Sequence, residues 1–179
     1  AKAAFPLNGV RLLEAHLRLQ DERNFRASVR AVGRALGKSS RSVDRAARRG
    51  REAQQRAETA VQQKGKQVLE QLGTGQRALV ILGRSYNACD PGLNMNLPAK
   101  VRDLGVQSIP LDFLPLHDVG HDDRDNMYWR SGQKILAAAR YLRDHPSLHP
   151  VYLTNFGCGP DSFISHFFLE EMAGKPFLQ

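Results

Sequence analysis

Three short apolar runs, each followed by a helix-forming stretch, constrain this chain more than any other feature. Ala78-Leu79-Val80-Ile81-Leu82 ends at Gly83, Val106-Gln107-Ser108-Ile109 ends at Pro110, and Val151-Tyr152-Leu153-Thr154 runs into Asn155. Short runs of this kind, bounded by turn formers, read as strands buried on both faces. Between and after them lie helical stretches from about Asn94 to Leu104, from Asp125 to Asp144 and from about Ser162 to Met172. Gly105, His145-Pro146 and Gly174 close the three. Strand and helix alternating in this order predict an α/β fold, with a small parallel sheet joined by right-handed crossovers. Lys175 to Gln179 read as the lead into a fourth strand, and with Ala1 opening the chain we read it as an excerpt of a longer, truncated lobe.

The first part is of a different kind. From Val10 to Leu72 there is no proline and one aromatic residue, Phe25, so the composition is helix-forming. A first helix is predicted from about Asn8 to Leu36, and a second from Ser40 or Ser42 to Leu72, with Gly37 to Ser40 between them. Val43, Ala47, Ala53, Ala57, Val61, Val68 and Leu72 form a narrow apolar stripe suited to one partner helix. Gly33, Gly37, Gly50 and Gly65 all weaken helix. The expected division is thus a basic helical segment over 1–75 and an α/β lobe over 76–179.

Charge follows that division. The chain carries +8 overall, but residues 1–77 hold 17 Lys/Arg against 7 Asp/Glu, and residues 78–179 hold 9 against 11. Arg41, Arg45, Arg48, Arg49 and Arg51 could grip phosphates. Without a DNA-binding motif or interleaved aromatics, a solvated helix face is the better reading, and nucleic acid is not an expected partner. No stretch approaches the roughly 20 apolar residues of a membrane span, and the opening segment lacks a signal peptide's apolar centre. Two cysteines cannot make a disulfide scaffold, so the expected compartment is the cytoplasm and the expected membrane role is none.

In an open parallel sheet, ligands bind beyond the carboxyl ends of the strands, and the loops predicted there carry the chemistry. Arg84, Tyr86, Asn87 and Cys89 follow the first strand, Asp112 the second, and Asn155-Phe156-Gly157-Cys158-Gly159-Pro160-Asp161 the third. With strand order two-one-three, both thiols could share a site. Cys158, flanked by glycines ahead of a helix, suits a stabilised thiolate or an iron–sulfur corner, but it equally suits a buried, inert cysteine at a tight turn. For Cys89 the packing reading is the stronger. Arg84 and Tyr86 could bind a phosphate and a carbonyl, or Arg84 could pair with Asp90 or Asp112. The segment His117-Asp118-Val119-Gly120-His121-Asp122-Asp123 matches no strong zinc spacing and reads as a solvated loop. The motifs of a self-contained ATPase, dehydrogenase or hydrolase are missing. The sequence names no catalytic residue.

At these loops the sequence resembles a known family. Gly83-Arg84-Ser85-Tyr86-Asn87, Asp90-Pro91-Gly92-Leu93-Asn94 with Pro98, and Ile109-Pro110-Leu111-Asp112-Phe113-Leu114-Pro115 look like one domain of large bacterial acyl-CoA dehydratase activases, relatives of the 2-hydroxyglutaryl-CoA dehydratase activator. Tyr128 to Leu136, Val151 to Asp161, Phe167-Phe168 and Gly174 to Phe177 continue the likeness, which is close over about 76–179 and loose over the helical piece. The resemblance implies a flavodoxin-like lobe of the kind found in 2-hydroxyacyl-CoA dehydratase subunits, and a [4Fe-4S] cluster used in ATP-driven electron transfer. Carried over by position, Cys158 is the candidate metal ligand, Cys89 a second, and Arg84, Tyr86 and Asn87 candidate cofactor-binding residues. Ser85 stands where the family usually has proline. ATP would act through a domain absent from this chain. Other domains of the parent chain or dehydratase-like subunits are the implied partners, with an acyl-CoA ligand possible. The alternative is a non-catalytic lobe that binds a ligand or docks a partner, its cysteines serving packing.

Overall fold

The computed structural model describes residues 12–19, 21–73, 75–116, 127, 129–155 and 158–179. The chain divides into two compact units, Ala1–Thr59 and Ala60–Gln179. In the first, α1 spans Glu22–Ala35. It starts well after the expected Asn8, because Asp21 supplies the cap: its carboxylate accepts the Asn24 backbone N–H at 3.0 Å. The helix α2 runs Ser40–Glu70, close to expectation.

Two helix glycines have a use that propensity alone hides. A Cβ on Gly33 would lie 2.2 Å from Val43 Cγ2, and one on Gly65 would lie 2.2 Å from the Phe113 carbonyl oxygen. Each lets a neighbour approach closer than any side chain would permit. The expected stripe holds only at its ends. Val43 is buried and Val68 and Leu72 are half-buried, whereas Ala53, Ala57 and Val61 are exposed. Of the arginine cluster, Arg51 pairs with Glu22 and lies 4.0 Å above the Phe25 ring. Arg41, Arg45, Arg48 and Arg49 face solvent.

The second unit is built on three parallel strands in the order β2-β1-β3: β1 Ala78–Gly83, β2 Gln107–Pro110 and β3 Leu148–Leu153. The fold is α/β, and this order is the one with which flavodoxin-like doubly wound sheets begin. Strand β3 starts three residues earlier than its apolar run suggests. His149 and Pro150 are in register with Leu79 and Val80 despite the proline, which an outer strand tolerates. The C-terminal residues also touch this strand. Leu178 forms a parallel bridge with Val151, accepting the Tyr152 N–H at 2.8 Å and donating to the Pro150 carbonyl at 3.1 Å.

Among the described residues the unit has four further helices: α3 Ser85–Cys89, α4 Leu97–Asp103, α5 Arg130–Arg143 and α6 Gly159–Met172. A 3-10 turn, Leu111–Phe113, follows β2. Successive strand residues point to opposite faces. One face sends Ala78, Val80 and Leu82 into a core with Ile135, Leu142, Ile164 and Phe168 of α5 and α6. The other buries Ile81 and Val151, and Val101 of α4 is buried outside that main core. Each fully buried aliphatic side chain contributes about 1.5–3 kcal/mol, and this packing is what fixes the helix ends at the carboxyl edge of the sheet.

The return from α5 to β3 makes folding sensitive to acid. Lys175 donates to the carbonyls of Leu142 and His145, closing the end of α5. Burial, and then the Lys175 charge, hold His145 and His149 below the ordinary imidazole value of 6.5. Among the described residues His145 Nδ1 and His149 Nε2 are buried without a hydrogen-bond partner. Below that value the unfolded chain takes up protons that the native state refuses. Stability should therefore be complete above about pH 6.5 and fall as the pH drops through the lowered native values. Urea midpoints between about pH 8 and 5 check this, and His145→Gln with His149→Gln should flatten the profile.

Candidate functional site

Gly83 ends β1 at φ +154°, where a Cβ would press on the Leu153 carbonyl oxygen at 2.9 Å. The chain then turns into the short helix α3, with the Arg84 carbonyl accepting the N–H groups of Asn87 and Ala88 at 2.8 and 3.0 Å. This turn places Arg84 at the boundary between β1 and β3. Across it, α6 begins earlier than its apolar pattern indicates, since Pro160 is well suited to a first turn. Cys158 is the N-cap residue of α6, and its side chain caps no backbone N–H of that helix.

Arg84 joins the two loops. One guanidinium nitrogen donates to Cys158 Sγ at 2.9 Å and to Asp161 Oδ2 at 2.8 Å. Asp161 also accepts the Asn155 backbone N–H at 3.0 Å, and the Cys158 N–H reaches the Asn155 carbonyl at 2.8 Å. Asn155 Nδ2 donates to Asn87 Oδ1 at 3.0 Å, tying the loop after β1 to the loop after β3. Tyr86 is exposed and its ring lies 4.9 Å from the Arg84 guanidinium, a stacking arrangement. The cation is half-buried and its partner fully so, the side chains being 17% exposed for Arg84 and 2% for Asp161. Burial opposes the Arg84 charge, but the hydrogen bond and charge of Asp161 outweigh it and raise the guanidinium above its ordinary value. Below this cluster, burial pushes the Tyr152 hydroxyl up to about 12.

Arg84 is therefore paired, but with Asp161 rather than with Asp90 or Asp112. Asp90 instead accepts the N–H groups of Gly92 and Leu93, and Asp112 pairs with Lys134. Arg84, Tyr86, Asn87 and Cys158 come together as one cluster. Cys89 follows the same edge but has other surroundings. It lines a cavity of about 300 Å³ with Gly83, Asp112 and Lys134, and Cys158 is not among the described lining residues. Burial, and then the Asp112 charge, push the Cys89 thiol up, against a smaller opposing effect of Lys134. The sequence places Asn155 and Asp161 in the chemistry-bearing loop after the third strand but assigns neither a role of its own, and it gives Lys134 no part. An acid in the first turn of a helix just after a glycine-flanked cysteine was the available signal for Asp161.

A [4Fe-4S] cluster takes four ligands, typically cysteine thiolates. Among the described residues no group of three or more His, Cys, Asp and Glu side chains is arranged to hold a metal. The two thiols sit in separate surroundings. Cys158, with Arg84 donating to its sulfur, is a single thiol and does not by itself make a cluster site. The His117 to Asp123 segment lies outside the described residues, as do Phe156 and Gly157. No helix among the described residues is long and apolar enough to cross a membrane.

A family model described as the CoA enzyme activase uncharacterised domain matches residues 1–114. The match takes in the helical piece, the part in which the likeness read from the motifs is loosest, and it ends before α5, β3 and α6. No curated protein and no solved structure matches the chain.

Proposed function

The chain belongs to the CoA enzyme activase uncharacterised domain family, and from that premise we propose that it serves an ATP-driven activase acting on an acyl-CoA dehydratase-type partner, offering Cys158 as one thiolate to a shared [4Fe-4S] cluster. The observation that carries this reading is the contact of the Arg84 guanidinium with Cys158 Sγ at the head of α6. The hydrogen bond holds the sulfur at the carboxyl edge of the sheet, the side on which open parallel sheets bind their ligands. The remaining ligands come from other domains or subunits, and the nucleotide is handled elsewhere. When bound, such a cluster supplies one-electron transfer. The chain's own residues do the positioning: Asp161 fixes Arg84, Asn155 and Asn87 lock the two loops together, and Tyr86 stacks on the guanidinium. Cys89 is a poorer ligand, since its surroundings favour the protonated thiol.

Because one corner cannot hold a cubane alone, the test supplies the missing ligands. A preformed [4Fe-4S] complex of a small thiol is mixed anaerobically with the full chain, and protein-bound iron is measured after gel filtration. Wild type and Cys89→Ala should emerge brown with about four irons per chain, and Cys158→Ala should emerge colourless. Colourless wild type, or equal iron on Cys158→Ala, overturns the reading. The second reading, a ligand-binding lobe with packing cysteines, draws on the cavity beside Cys89.

A further inference from the structure

The cavity lined by Cys89 lies beyond the carboxyl ends of β1 and β2, the place where open parallel sheets bind ligands. At about 300 Å³ it is at the lower end of the range for small-molecule sites. Four separate segments converge on it. Gly83 ends β1, Cys89 ends α3, Leu111 and Asp112 follow β2, and Arg130, Ser131 and Lys134 come from the first turns of α5. Pro110, Leu111 and Ala88 give it an apolar part.

Its charge selects among anions. Lys134 is engaged by Asp112, so that pair brings no net charge. Arg130 has no ion-pair partner among the described residues, and the α5 first turn contains no acid. Among the described residues the lining thus carries one uncompensated positive charge, with the Ser131 and Ser85 hydroxyls as neutral hydrogen-bonding groups. One positive charge beside an apolar wall matches a monoanion with a short hydrocarbon tail better than it matches a dianion. We propose that this cavity binds a small carboxylate, its oxygens on Arg130 and Ser131 and its tail against Leu111 and Ala88. The proposal stands apart from the Cys158 reading, since neither Cys158 nor Arg84 lines the cavity.

Cys89 is a built-in reporter. In Cys158→Ala protein it is the remaining thiol, and its modification rate by N-ethylmaleimide, a neutral reagent, can be followed with added butyrate, butyramide or inorganic phosphate at constant ionic strength. Butyrate should slow the reaction severalfold at millimolar concentration, the affinity range of so small a ligand. Butyramide and phosphate should protect far less. Arg130→Gln, at an exposed position, should raise the half-protecting butyrate concentration about tenfold or more, as loss of a charge-assisted hydrogen bond implies. An unchanged urea midpoint shows that this variant folds. No protection by butyrate, equal protection by butyramide, or phosphate acting at lower concentration than butyrate would overturn the proposal, and the comparison of the three probes in Cys158→Ala protein decides it without Arg130→Gln.

Discussion

Arg84→Met is expected to destabilise the fold by about 3–5 kcal/mol, the range for removing one partner of a buried ion pair. Asp161 is 2% exposed and would keep the Asn155 N–H but lose its counter-charge. The cost comes from that stranded carboxylate more than from the attraction lost. For comparison, the Lys134–Asp112 pair has both side chains about two-fifths exposed, so screening limits it to about 0–1 kcal/mol. Urea unfolding of Arg84→Met and Lys134→Met measures the two side by side. A native domain has about 5–15 kcal/mol in hand, so Arg84→Met removes a large share of it. Equal, small losses in both variants would show that the Arg84 pair is as well solvated as a surface pair.

Phe168→Ala should cost a similar amount, about 3–5 kcal/mol, for a different reason. Its ring is fully buried, 4.7 Å from the Tyr152 ring and 5.1 Å from that of Phe177. It fastens α6 to β3, and through the C-terminal segment to the bridge at Leu178. Truncation removes buried apolar area and leaves a cavity that the strand, held by its ladder to β1, cannot fully close. Because Cys158 stands at the head of the same helix, Phe168→Ala should also lower iron retention in the cluster-transfer assay, whereas Phe168→Leu should restore most of both properties. Full retention of stability in Phe168→Ala would mean that α6 is held at its ends rather than by its core face.

The sheet was legible because its strands are apolar runs closed by Gly83, Pro110 and Asn155, and period and punctuation agree there. Strand β3 starts before its apolar run because an outer strand accepts Pro150, a residue that reads as a breaker. Helix-forming composition continues N-terminal to Asp21 and does not mark where α1 begins, because a cap is decided by one side chain reaching one N–H. Gly33 and Gly65 looked like weaknesses in isolation. Their value depends on Val43 and Phe113, residues distant in sequence.

The site was legible as far as sequence order reaches. Placing Arg84 and Cys158 on one edge follows from strand–helix alternation, and pairing them follows once β1 neighbours β3. Which aspartate takes Arg84 does not follow, because Asp90 and Asp112 are nearer along the chain than Asp161. Nor does the separation of the two thiols, which depends on α3, a helix too short to show a period. Asn87 and Asn155 are small polar residues in loops, and nothing in their spacing announces that they bond to each other.

The central claim is that Arg84 and Cys158 act as a unit at the head of α6, and a double-mutant cycle tests it most directly. Urea unfolding of wild type, Arg84→Met, Cys158→Ala and the double variant yields the coupling between the two side chains. The geometry predicts a coupling of about 0.5–3 kcal/mol, the range for residues in contact. Losses that add to within about 0.3–0.5 kcal/mol would contradict it, leaving Cys158 a cysteine beside an arginine rather than one held by it.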